Sequence, residues 1–317
     1  MRQLAVALAL FWVVLTLTFL LIRAAPGDPV SFLAPPAATA SDLARLRASL
    51  ELDAPLAVQY GRWAHDVIRG DLGTSFVAHR SVTSVLGDAI PISFALGGIS
   101  LVLTFVLGVL LGAIQGAHRG DRVDGALTIA TTTVYAAPSF WLALSLIALF
   151  TYGAARMGLP AWLRLPAFGV RDPAGASGFS DLARHAVLPV LTLTLVGAAG
   201  IARYARTSVV ELLQLQWVRT AVAKGVPASA VHARHVLANA LPTLLILFAL
   251  ALPGVLAGSV FVETVFGWPG VGRLMVSSIF ARDYPVVVGA TIVYAAVVIL
   301  ANLAADLALP LVDPRRR

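Results

Sequence analysis

Cysteine is absent from the 317 residues. That excludes a disulfide framework, a cysteine–zinc site and a thiol nucleophile. Charge is scarce: 12% of residues are charged and 59% are hydrophobic, where a soluble domain has about 25% charged and about 45–50% apolar residues. No Gly-x-x-x-x-Gly-Lys-Ser/Thr stretch occurs, so the chain does not hydrolyse ATP by the P-loop route. There is no Ser–His–Asp set, no HExxH and no pair of intramembrane aspartates, so an intramembrane enzyme lacks a nameable nucleophile and base. The net charge of +7 accompanies no basic stripe interleaved with aromatics, so no nucleic-acid partner is expected. It fits membrane topology and anionic headgroups, with the lipid bilayer as the surrounding partner. His232 and His235 stand three apart on an expected helix, but no acidic neighbour or third histidine completes a metal set. They read as surface groups, and neither a metal nor a cofactor is expected on this chain.

What the sequence does have is long uncharged runs. Bounded by the nearest charged or histidine residues, they are Leu4–Ile22, Ala89–Ala117, Gly125–Ala155, Ala186–Ala202, Val236–Val262 and Tyr284–Ala305. Each reaches the ~17–25 residues that cross a ~30 Å hydrocarbon core, Ala186–Ala202 only just. An all-α integral membrane protein with six spans is expected, both termini on one side. The first run is too long for the h-region of a cleaved signal, about 7–15 residues, and reads as a retained anchor. With the termini inside, the short inner segments carry the larger share of Arg and Lys, which the positive-inside rule requires. The division of the chain is then 1–22 for the first span, 23–88 for an extracytoplasmic helical segment, 89–312 for a five-span core and 313–317 for a basic cytoplasmic tail.

Segment 23–88 opens on the turn residues Pro26-Gly27-Asp28-Pro29. Ser41 is placed to cap a helix carrying Leu43, Leu46 and Leu50. A second helix near Pro55 carries Leu56, Tyr60, Trp63 and Val67 at i, i+4, i+7 and i+11. Gly70-Asp71-Leu72-Gly73-Thr74-Ser75 reads as a tight turn. The two helices are expected to pack on each other and on the membrane face, with contact to a docking partner as the alternative.

Arg203 to Pro242, within a loop at 203–242, reads as a helix–turn–helix. Val209, Val210, Leu213 and Trp217 share a face, with Val218 and Ala221 beside them, while Arg206, Glu211, Arg219 and Lys224 bring charge elsewhere. Gly225 suits the positive φ of a helix C′ position. Pro227 suits the first turn of the next helix; Val226 is a poor N-cap, so Ser229 is an alternative start. Such a small-residue corner fits a cleft on another subunit.

On the outer side, Gly267 to Gly272 is a glycine-rich connector between spans five and six. Glu263 stands at the outer end of span five; a charge in lipid costs about 2.5–3.5 kcal/mol, so it should face the bundle or headgroups, with Arg273 or Arg282 as a partner. Pro253-Gly254 weakens span five in mid-membrane, which is tolerable only against protein or a cavity. Spans five and two are the candidates to line a path, although packing alone accounts for Gly108 with Gly112 and Gly197 with Gly200 equally well. Asp306 interrupts the last run. A proton relay there would make the chain a stand-alone secondary transporter or channel, an alternative for which one carboxylate is thin support.

Several blocks, in order along essentially the whole chain, resemble the permease subunits of ABC importers in the dipeptide/oligopeptide/nickel branch. They are PGDP at 26–29, LDAP at 52–55, GDLGTS at 70–75, PSFW at 138–141, Arg184-His185 with Leu188-Pro189, Glu263 with FGWPGVG at 266–272, RDYP at 282–285, and the tail residues Asn302, Asp306 and Asp313-Pro314-Arg315. Arg219-Thr220-Ala221 up to Gly225 resembles the EAA loop of such permeases in its RTA-x-AKG version. The resemblance implies a cytoplasmic coupling helix between spans four and five, with Arg219, Ala221, Lys224, Gly225, Val226, Pro227 and His232 meeting an ATPase. It implies a translocation path near Pro253, Gly254, Glu263, Gly267, Trp268 and Gly270. It also implies ATP bound by two partner ATP-binding cassette subunits, a second homologous permease, an extracytoplasmic substrate-binding protein, and a bacterial inner membrane location. Substrate identity is left open among dipeptides, oligopeptides, glutathione and nickel.

Overall fold

The computed structural model describes residues 2–24, 30, 38–49, 53–172, 178–252, 254–257 and 260–312. The PGDP block, Leu52, Pro253, Gly258 and the tail 313–317 lie outside them, as do the side chains of Leu46, Leu50 and Asp306. Among the described residues the chain is helical, with only an isolated bridge between Thr74 and Ser81. The helices are α1 Arg2–Ala24, α2 Ala40–Ser49, α3 Leu56–Ile68, α4 Val82–Ala117, α5 Arg122–Ala136, α6 Ser139–Arg156, α7 Phe179–Leu213, α8 Gln216–Ala223, α9 Ala228–Ala251, α10 Gly254–Ala257, α11 Val260–Phe266, α12 Val271–Phe280 and α13 Tyr284–Val312. Two compact units form, one from Met1–Pro91 with Leu274–Ile299, the other from Ile92–Arg273 with Leu300–Arg317.

Among the described residues, five helices are long and apolar enough to cross a membrane: α4, α6, α7, α9 and α13 over Tyr284–Ala304. The described apolar part of α1, Ala5–Leu21, is shorter. The expected runs differ from the helices in three places. Gly125–Ala155 is split at Ala137 and Pro138, where ψ turns extended, because the residue before a proline is pushed out of the helical region. Ala186–Ala202 is the middle of a 35-residue helix; hydropathy registers only where charge is missing, while Arg184 and Arg203 stay inside the helix. Within Val236–Val262 the described helices are α9 to Ala251, then α10 and α11.

In the first unit, α3 packs on α1 through aromatic rings. Phe19 meets Tyr60 edge-on at 5.4 Å and Trp63 at 5.1 Å, and the Thr16 and Tyr60 hydroxyls are hydrogen-bonded at 2.7 Å. The expected stripe is real at Tyr60, Trp63 and Val67, but Leu56 is exposed. Thr39, not Ser41, caps α2: its Oγ1 accepts from Asp42 N–H while Asp42 Oδ2 accepts from Thr39 N–H, a reciprocal capping box. Thr39 lies two residues before Ser41, so the N3 partner is the acid Asp42. The 70–81 turn uses positive φ at Gly70 and Gly73.

In the second unit, α4 and α7 touch backbone to backbone. A Cβ on Gly112 would lie 2.5 Å from Ala205 Cβ, and one on Gly116 would lie 2.5 Å from Val209 Cγ1. Gly108 meets Ile201 and Ala198 on the same line. Glycine at i, i+4 and i+8 clears one face of α4, which is how apolar helices approach closely without a hydrophobic driving force. A core of Ala143, Leu146 and Ile147 from α6, Leu188 from α7, and Val262, Phe266 and Trp268 lies beyond.

Candidate functional site

The 214–237 corner is built from local signals and a small apolar core. The expected single helix from Arg203 is two: α7 runs on to Leu213, the chain breaks at Gln214 and Leu215, and α8 begins at Gln216. Gly225, at φ +78°, closes α8. Its N–H donates to Val222 C=O at 2.9 Å, and Val226 N–H donates to Ala221 C=O at 3.2 Å, the paired bonds of a Schellman end. Pro227 then stands as the N-cap with ψ 141°, and the next helix begins at Ala228, not Ser229. The helix passes through a π-helical stretch, Val231–Leu237, a rare form found often at functional places.

Val209, Val218, Val231 and Val236 form the buried centre of the corner, with Leu212, Leu213, Ala221 and Val226 packed on it. Trp217 is turned out, 38% exposed, beside the His235 ring. The singled-out residues therefore divide. Ala221 and Val226 hold the corner from inside, while Arg219, Lys224, Gly225 and Pro227 present outward. His232 is half-buried, its Nδ1 2.7 Å from Ala228 C=O.

The 263–273 segment has a different construction. Glu263 is fully buried. Its Oε1 accepts from Ser93 Oγ–H of α4 at 2.6 Å, and Ser93 Oγ in turn accepts from Val271 N–H at 2.8 Å. Its Oε2 accepts from Arg273 N–H at 3.1 Å. The first N–H groups of α12 are orphan donors at the positive end of a helix dipole, and a carboxylate there is the natural partner. The expected pairing of Glu263 with an arginine is thus met differently at Arg273: its backbone reaches Glu263, while its guanidinium donates to Gly267 C=O. Gly267, at φ +68°, ends α11 with Trp268 N–H on Glu263 C=O at 2.8 Å. The connector at 267–272 therefore leads directly into a helix, α12. Gly270 is glycine because a Cβ there would lie 2.5 Å from both Glu263 Oε2 and Ser93 Oγ.

The path candidates fall in two groups. Glu263, Gly267, Trp268 and Gly270 gather at this node, with Trp268 buried in the α6–α7 core. Gly254 instead lines a cavity of about 370 Å³ with Gly97, Ser100 and Thr104 of α4 and Thr192 and Gly197 of α7. Pro253 lies outside the described residues. Sequence reasoning missed two partners. Ser93 carries no signal, being one serine in an apolar run. Asp283 is the other: its carboxylate accepts from Ser75 Oγ–H at 2.5 Å, Phe76 N–H at 3.0 Å and Val77 N–H at 3.3 Å. It joins the GDLGTS and RDYP blocks, whose shared presence in the sequence was the only available hint.

Residues 108–317 match the family described as "binding-protein-dependent transport system inner membrane component", and residues 1–97 match its N-terminal counterpart. The oligopeptide transport system permease protein AppB of Bacillus subtilis (strain 168) is 32% identical over 94% of this chain and 92% of its own length. A protein named as a probable D,D-dipeptide transport system permease, DdpB of Escherichia coli (strain K12), is 35% identical over 95% of this chain and 92% of its own. Among solved structures, the inward-facing MetNI methionine ABC transporter superposes with a TM-score of 0.55 at 17% identity, covering 73% of this chain and 97% of that one. An amino acid ABC transporter crystallised with histidines gives 0.51 at 13% identity, over 74% and 94%. At such identities the likeness speaks for the fold, which is that of ABC transporter membrane subunits. By the family match along nearly its whole length and by full-length relatives above 30% identity, the chain belongs to the binding-protein-dependent transport system inner membrane components.

Proposed function

We propose that the chain is the permease subunit of an ATP-driven importer of di- and oligopeptides in the bacterial inner membrane. The observation that carries this is the end-to-end similarity to peptide permeases, 31–35% identical over 94% or more of the chain. In this reading α1 is the sixth span, the termini and the 214–237 corner are cytoplasmic, and segment 23–88 is outside. A second homologous permease, two ATPases that bind the ATP, and an extracytoplasmic binding protein complete the transporter. The chain itself carries no ATPase site. Movement of the ATPases pushes the Val226–His232 corner as a lever, and the bundle alternates between inward- and outward-open states. The outward-facing residues Arg219, Lys224, Gly225 and Pro227 meet the ATPase, while the valine core keeps the corner rigid enough to transmit force.

The test is purification of the tagged chain in mild detergent, with its partners read by mass spectrometry, for wild type and Gly225→Asp. Asp tolerates positive φ better than most residues and nothing lies within 4 Å of the added Cβ, so the corner folds while its face gains a carboxylate. Recovery of a second permease and two ATPases with wild type, reduced with Gly225→Asp, supports the reading. A wild-type chain that purifies alone and moves substrate without ATP makes it a stand-alone transporter.

A further inference from the structure

A second polar cluster in the second unit joins α4, α5 and α7. Asp121 caps α5, accepting from Val123 N–H at 2.8 Å and Asp124 N–H at 3.0 Å. That leaves the Asp124 side chain free to turn inward, where it is 6% exposed. Arg206 of α7 grips it with two parallel bonds, Nε–H to Oδ1 at 2.8 Å and Nη2–H to Oδ2 at 2.7 Å. Gly120 N–H adds a third donor at 3.0 Å and Thr128 Oγ1–H a fourth at 3.3 Å. The side-chain amide of Gln115, on α4, reaches Thr128 and Thr131 at 3.4 Å. Three helices thus share one polar knot.

Arg206 precedes Val209, a centre of the corner's apolar core, by three residues, and so lies on the same stretch of helix. Gly112 and Gly116 of α4 lie against the backbone of Arg206. There is little slack at this end of α7. A displacement of the corner moves Val209, and Arg206 moves with it. The guanidinium fork fixes direction as well as distance, so the Asp124 end of α5 must move too. Lysine would keep the charge but present a single swivelling donor.

We propose that the Asp124–Arg206 clasp is the joint that passes movement of the 214–237 corner to α5, and that both are positioning residues for the transport cycle. This rests on the permease reading. Burial of an ion pair is by itself poor evidence for stability, so a purely structural role and a transmitting one predict different things. In the whole four-chain complex, reconstituted in vesicles with its binding protein, ATP hydrolysis and uptake of a labelled oligopeptide are measured together for wild type, Asp124→Asn and Arg206→Lys. The complexes are expected to assemble, and the ATP hydrolysed per peptide imported to rise by roughly tenfold, the usual scale of coupling between sites. An unchanged ratio overturns the inference, whether both activities stay at the wild-type level or fall in step. Failure of both variants to assemble also overturns it, by marking the clasp as a structural staple. Wild type itself sets the two readings apart: if it shows no ATP-dependent uptake, the permease reading is what fails, and the inference falls with it.

Discussion

The family resemblance puts Gly270 and Gly254 together near a translocation path, and their surroundings give them opposite sensitivities. Consider Gly270→Ala. The new methyl would lie 2.5 Å from Glu263 Oε2 and from Ser93 Oγ, and closer still to the carboxyl carbon. Ordinary contacts need about an ångström more, so the methyl and the Ser93–Glu263 bond cannot both keep their places. Overpacking costs about 1–3 kcal/mol. If the carboxylate swings away, the N–H groups of Val271 and Arg273 lose their arrangement in a buried setting, at about 1–3 kcal/mol for each group left unsatisfied. A total of about 3 kcal/mol is expected, a large share of the stability of an ordinary domain. Gly254→Ala is the control, because its added Cβ meets nothing within 4 Å; it should be neutral or stabilising by up to ~1 kcal/mol. The assay is thermal unfolding of the detergent-purified chain by a fluorescent size-exclusion readout, with peptide uptake in cells alongside. A clear drop in midpoint for Gly270→Ala and none for Gly254→Ala supports the node. Equal midpoints for Gly270→Ala and wild type would refute it.

Glu263→Gln puts an amide NH₂ where one of two donors now points, Ser93 O–H or Arg273 N–H, so it should destabilise by about 1–3 kcal/mol. A cycle with Ser93→Ala should show an interaction of about 0.5 kcal/mol or more; strict additivity would mean that the two side chains act separately. Asp283→Ala removes the acceptor shared by Ser75, Phe76 and Val77. Amide exchange at Phe76 and Val77 should quicken by about 10- to 100-fold, and an unchanged rate would remove the clamp from the fold. The pH dependence of the Asp124 clasp also has a sign. Arg206 and the Gly120 N–H hold the Asp124 carboxyl well below the usual carboxylate range. A depressed folded-state pKa contributes stability that is fully present above the ordinary aspartate value and is lost only as pH falls through the lowered one. Between pH 7 and pH 5 the difference in unfolding midpoint between wild type and Asp124→Asn should therefore stay constant, shrinking only in stronger acid; a difference that already shrinks by pH 5 would contradict it.

Some of this molecule was readable from residues alone, and the reason is that membranes impose one-dimensional rules. Lipid supplies no hydrogen-bond partners, so apolar runs become helices, and α4 and α13 appear close to where charge is missing. Backbone conformation at Gly225 is likewise a local matter: only a residue that accepts positive φ ends α8 there, and the sequence shows it. The Gly108-Gly112 spacing was legible as a close-packing face, but not that its neighbour is α7. Where local rules competed, local reading slipped. Pro138 split one run, Thr39 displaced Ser41 as the cap because Asp42 is its reciprocal partner, and charge at Arg184 and Arg203 hid the true length of α7. Tertiary structure alone decided the rest. Ser93 and Glu263 are 170 residues apart, Asp124 and Arg206 are 82 apart, and Ser75 and Asp283 are 208 apart. Each pair meets only after the helices have packed. A hydrogen bond needs its partners within about 3 Å, and no spacing along the chain encodes which serine or arginine arrives there.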